Sequence, residues 1–65
     1  MITVEFELER VTKNTGRFTE VSATTEDGEE VTGKVVGYIY VQKSALKVLG
    51  GPEALVVTIS AGGGG

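Results

Sequence analysis

A chain of 65 residues makes one domain that removes only about 60% of its unfolded surface from water, so burial gained by self-association would help it. With no Cys and no His it has no disulfide, no thiolate nucleophile, no imidazole base and no nitrogen or sulfur ligand for zinc, which leaves oligomerisation as the way to reinforce a small core. Nine acids against six bases give a net charge of −3, so there is no global positive field to draw in a polyanion, and nucleic-acid binding would need a local basic patch.

Ile2, Val4, Phe6 and Leu8 alternate with Thr3, Glu5, Glu7 and Glu9, the period-two pattern of a strand with one buried and one wet face. Lys13-Asn14-Thr15-Gly16 follows, where an Asn near a Gly supplies the positive-φ positions of a short hairpin turn. The returning strand, about Arg17 to Thr25, has Phe18 and Val21 on opposite parities, which predicts a bulge or an edge. Glu26-Asp27-Gly28-Glu29 is a solvated turn of the type I′ or bulged kind between strands two and three.

From Lys34 to Gln42 both parities are apolar, with Val35, Ile39 and Val41 on one side and Val36, Tyr38 and Tyr40 on the other, and this reads as a central strand. Gly37 leaves a gap where another backbone or ring could approach. The period then changes: Ser44 is placed to cap a short helix, Ala45 to Leu49, that Gly50 ends and Pro52 keeps from resuming. Leu55, Val57 and Ile59 mark a last strand, and 62–65 is a glycine tail of linker character. The expectation is a mainly β, α+β domain over residues 1–61: a small antiparallel sheet of about four strands and one short helix, in the order β-β-β-α-β.

The catalytic inventory is thin. A carboxylate enzyme needs two acids in one cleft with separated pKa values, whereas these acids fall on strand faces and turn tips, so no catalytic, cofactor or metal site is expected. The Glu5-Glu7-Glu9 row places carboxylates about 7 Å apart along a ridge; a calcium site wants converging oxygens, so a solvated strand face is the favoured reading. Tyr38 and Tyr40 share a face with Val36, and one short helix covers only one side of a central strand. These three are therefore candidate interface residues, favoured over a base-stacking platform. Lys34, Lys43 and Lys47 flank the strand and helix as the one local basic cluster and are the candidate nucleic-acid contacts.

Gly37-Tyr38-Ile39-Tyr40-Val41-Gln42-Lys43-Ser44-Ala45-Leu46-Lys47-Val48-Leu49-Gly50, with Leu55 to Ile59 behind it, resembles the strand-to-helix core of AbrB-like swapped-hairpin DNA-binding domains. Gln42 stands where that family has its Pro. The resemblance implies an intertwined homodimer with Lys43 and Lys47 on DNA phosphates. The chain also resembles a group of uncharacterised small bacterial and phage proteins at Lys13-Asn14-Thr15, Tyr40 to Leu46, Pro52-Glu53 and Val57 to Ile59, which implies a compact domain and no mechanism. Its ending, Gly-Gly after a strand, is similar to that of sulfur carriers and ubiquitin-like proteins, and implies activation at Gly64-Gly65.

These readings converge on a small, non-enzymatic binding module that acts as a homodimer and recognises a macromolecule, with protein favoured over DNA by the acidic balance. The alternative is a carrier activated at its C-terminal glycines. No small-molecule substrate is expected. The N-terminus opens in a strand pattern and not a signal peptide, and no apolar run approaches the roughly 20 residues of a membrane span, so a cytoplasmic location is expected.

Overall fold

The computed structural model describes residues 1–62. Its elements are β1 (Ile2–Val11), β2 (Thr15–Thr25), β3 (Tyr38–Gln42), α1 (Lys43–Val48) and β4 (Ala54–Ile59), the expected β-β-β-α-β order. All pairings are antiparallel in one four-stranded sheet of order β3-β2-β1-β4. The long β1–β2 hairpin is the centre, and the two short strands flank it. The described residues contain no helix long and apolar enough to cross a membrane.

The alternation in β1 becomes the core. Val4 and Phe6 are buried against Phe18 and Ala23 of β2, and Ile2, Leu8, Ile39, Val41, Leu55 and Val57 pack around them. The expected bulge in β2 is present: Phe6 opposes Glu20 while Glu5 opposes Ser22, so Val21 is the extra residue. It lets Phe18 and Ala23, of opposite apparent parity, both point inward. A second bulge at Glu9, where Leu8 opposes Phe18 and Arg10 opposes Arg17, reorients the end of β1. Each buried Phe contributes roughly 2–3 kcal/mol of transfer free energy.

The turn at Lys13-Asn14 departs from expectation. Among the described residues no non-glycine has positive φ, and Gly16 has an ordinary one. Thr12 and Thr15 hold the turn instead. Their hydroxyls lie 2.6 Å apart, the Thr12 N–H donates to the Thr15 carbonyl at 2.8 Å, and the Thr15 N–H donates to the Thr12 hydroxyl at 3.1 Å. A Cβ at Gly16 would come within 2.8 Å of Leu46 Cδ1 and 3.2 Å of Phe18 Cε1, so the bare backbone leaves room for the Leu46 side chain of α1 against the hairpin.

The third strand is the main correction. It covers only Tyr38–Gln42 and lies at an edge of the sheet, not at its centre. Val35 and Val36 are in the preceding loop because the Glu20 carboxylate captures their N–H groups, and Gly37 leaves the strand conformation with φ +98. No atom approaches the open side of Gly37, so its role is that backbone angle. The Asp27-Gly28 turn forms as expected, with Gly28 at φ +85 and its N–H donated to the Thr25 carbonyl. The chain then runs briefly back along β2, by the Thr24 to Glu30 bridge and the bond from the Val31 N–H to the Ala23 carbonyl.

The helix starts two residues earlier than the Ser44 cap predicts. Gln42 is its N-cap and makes no side-chain cap bond; the Lys43 N–H donates to the Asn14 carbonyl across the hairpin turn. A neighbouring loop thus satisfies an orphan donor that a serine cap would otherwise serve. Gly50 ends the helix as expected. Gly50 and Gly51 are both at positive φ, and their N–H groups return to the carbonyls of Lys47 and Leu46, a Schellman closure.

Candidate interaction surface on the open sheet face

The face of the sheet opposite the core has no covering layer on the β3 side. The register aligns Tyr40 of β3, Arg17 of β2 and Arg10 of β1 in one cross-strand row, and places Tyr38, Thr19 and Glu7 in the next. Tyr38 is 51% exposed and Tyr40 61%. The Arg17 guanidinium lies 4.0 Å from the Tyr38 ring centroid and 5.8 Å from that of Tyr40, a cation–π bridge between the two rings. Glu9, turned by its bulge, approaches Arg17 Nε at 3.3 Å, although this buried nitrogen makes no well-aligned hydrogen bond. The tyrosines are therefore orientated by a planar cation and still open to solvent.

β3 also presents a free edge. The Lys43 N–H bonds Asn14 at one end of the strand, and the Glu20 N–H bonds the Gly37 carbonyl at the other. Alternation then turns the polar groups of Ile39 and Val41 toward β2, and leaves the N–H and C=O of Tyr38, Tyr40 and Gln42 pointing outward. Of the three candidate interface residues, Tyr38 and Tyr40 share this strand, and Val36, 43% exposed, lies in the loop before it.

The three candidate lysines do not form one cluster. Lys43 and Lys47 lie on α1, but Lys34 is at the opposite end of β3, where its Nζ donates to the Glu20 carbonyl at 2.7 Å. At the same end of the sheet stand Lys13, in the hairpin turn that α1 bonds to, and Arg10 and Arg17, but α1 packs its Leu46 on the core face whereas Arg17 lies on the open face with the tyrosines. The acidic ridge is also divided: Glu5 accepts a bond from the Ser22 hydroxyl at 2.6 Å, and Glu9 engages Arg17. Among the described residues no group of three or more acids is placed to hold a metal ion.

Glu20 is the residue that the sequence reading missed. Its side chain is 3% exposed and accepts the N–H groups of Val35, Val36 and Gly37 at 2.7 to 3.0 Å. These bonds, that from Val35 first, hold its carboxyl below the ordinary 4.5, against the opposing effect of burial and with help from Lys34. The available signal was its parity with Phe18, a glutamate on the buried face of an amphipathic strand. The groove beside it, about 510 Å³, is lined in part by Ala23, Glu30, Val31 and Lys34, and the Glu20 carboxylate in its wall is already occupied by backbone N–H groups.

A comparison with protein-family models found no match, and neither did comparisons with curated proteins and with solved structures. Gly64 and Gly65, on which the carrier reading rests, lie outside the described residues.

Proposed function

We propose that the protein is a non-enzymatic binding module that works in the cytoplasm as a homodimer, two copies pairing along the free edges of β3 to offer a shared open face to a macromolecule. The observation that carries this reading is the outward backbone of Tyr38, Tyr40 and Gln42 beside two exposed tyrosine rings. An exposed strand edge is a template for another strand. Antiparallel pairing of two such edges extends the sheet to eight strands and brings Tyr38 and Tyr40 of both copies onto one face. It also adds burial to a core of four fully buried apolar residues, Val4, Phe6, Phe18 and Ala23.

The test is absolute mass by light scattering behind a sizing column, over a dilution series, for the wild type and Tyr40→Pro. Proline at this position removes an outward N–H and spares the bonds to β2. The expected result is a dimer for the wild type and a folded monomer for the variant. A wild-type monomer at every concentration, or a Tyr40→Pro protein that dimerises equally well, overturns the proposal.

A further inference from the structure

We infer that the free edge of β4 receives an extended segment of a protein partner whose alternate residues are basic, so that the segment becomes a fifth strand of the sheet. This rests on the reading of the chain as a binding module, whose partner it names, and not on the pairing of β3 edges at the other side of the sheet. β4 ends the sheet beyond β1. The Leu8 N–H donates to the Glu53 carbonyl at 2.8 Å, and the ladder then runs without a register shift from Glu7 opposite Ala54 to Ile2 opposite Ile59. That phase turns the polar backbone groups of Leu55, Val57 and Ile59 toward β1 and those of Ala54, Val56 and Thr58 outward. Nothing blunts this edge. Over Ala54–Ile59 there is no charge, no proline and no bulge, and the strand offers about 20 Å of regular template.

The charge beside the edge selects the occupant. In the β1–β4 ladder, residues 2–7 against 54–59, the only charged side chains are Glu5 and Glu7, opposite Val56 and Ala54. All four lie on the open face, since Val4, Phe6, Leu55 and Val57 take the core face. Both glutamates are exposed, and Val56 is 67% exposed. Arg10 and Arg17 stand beyond the end of this ladder, where Arg17 is paired with Glu9. A strand added at β4 places its open-face side chains about 10 Å from Glu5 and Glu7, two strand spacings away. The small side chains of Ala54 and Val56 leave the way clear, so a lysine or arginine lays its aliphatic stem over Val56 and sets its charge at the two carboxylates. The intervening residues of the segment face the other side, beside Leu55 and Val57, where apolar side chains fit. A second copy of β4 brings no such charge, because the strand has none.

The experiment titrates the full chain into a fluorescein-labelled seven-residue peptide, Lys-Val-Lys-Val-Lys-Val-Lys, and follows anisotropy, with the peptide that carries Glu in place of each Lys as its control. The expected result is saturable binding of the basic peptide that weakens with salt, and none of the acidic one. In hydrogen-exchange NMR the amides of Ala54, Val56 and Thr58 should exchange freely in the protein alone and become protected by the peptide. Val56→Pro removes an outward N–H, spares the bonds to β1 and should lower the affinity about tenfold or more. Glu5→Lys with Glu7→Lys leaves the edge intact and should also weaken binding about tenfold. Absence of binding at millimolar peptide, equal binding of the acidic peptide, or binding with those three amides still open overturns the inference. So does a mass above the dimer that Val56→Pro abolishes, since the edge is then taken by a second copy. The light-scattering result separates the two proposals: a dimer that leaves the peptide unbound sinks this one alone, and a monomer that binds it sinks the β3 pairing alone.

Discussion

Arg17 and Glu20 are three residues apart on β2 and point to opposite faces of the sheet, and the contrast between them divides what folds this molecule from what it displays. Glu20 is buried, and three backbone N–H groups from a loop fifteen to seventeen residues away converge on its carboxylate. Arg17 is a quarter exposed and lies over two open rings, with the Glu9 carboxylate at 3.3 Å. A buried charge is tolerated only where its bonds are complete, so Glu20 dictates the course of the 34–37 segment. A surface cation has alternatives in water, so Arg17 shapes a surface and leaves the fold to other residues.

Removing the buried carboxylate has the largest expected effect. Glu20→Ala leaves the N–H groups of Val35, Val36 and Gly37 without their acceptor and opens a void opposite Phe6. In a domain of this size the loss should lower Tm by about 10 °C or more in a thermal melt followed by circular dichroism. The amide protons of the same three residues should change from protected to freely exchanging in hydrogen-exchange NMR. A variant that melts like the wild type would show that the loop is placed by Val31 and Val35 packing alone.

Protonation tests the same contact more gently. The folded-state pKa of Glu20 lies below its ordinary 4.5, so its stabilising contribution is complete above 4.5 and is lost as pH falls through the folded value. Tm measured from pH 7 downward should therefore hold steady and then fall in the acid range. Glu20→Gln keeps one acceptor oxygen and cannot titrate; its Tm should be lower at pH 7 and the gap to the wild type should close toward pH 2. A constant gap at all pH values would mean that the charge of Glu20 is irrelevant to the fold.

This division also explains what could be read in the sequence. The β1 alternation, the bulge implied by Phe18 and Val21, the Asp27-Gly28 turn and the Gly50 stop are signals carried by adjacent residues, and each is where local chemistry places it. Val35 and Val36 had the composition of a strand, but a carboxylate distant in sequence took the amides that a strand needs. Gly16 resembled a turn glycine, and only the arrival of Leu46 reveals why it lacks a side chain. Tyr38 and Tyr40 were recognisable from strand parity, whereas Arg10 and Arg17 join them only through a register that two bulges set.

The smallest effect on the fold, and the sharpest form of the contrast, belongs to Arg17→Met. Methionine keeps much of the aliphatic stem that packs over Tyr38 and removes the guanidinium. Cation–π contacts and ion pairs at accessible sites contribute about 0.5–1 kcal/mol each, and the variant also relieves the buried Nε of its missing hydrogen bond, so the two effects oppose each other. Urea unfolding should place Arg17→Met within about 1 kcal/mol of the wild type, with an unchanged m-value. The near-ultraviolet tyrosine signal should change nonetheless, because the cation that orientates both rings is gone. A large loss of stability would make Arg17 a structural partner of Glu9 and place it with Glu20, since a residue that only dresses the surface leaves the unfolding free energy nearly untouched.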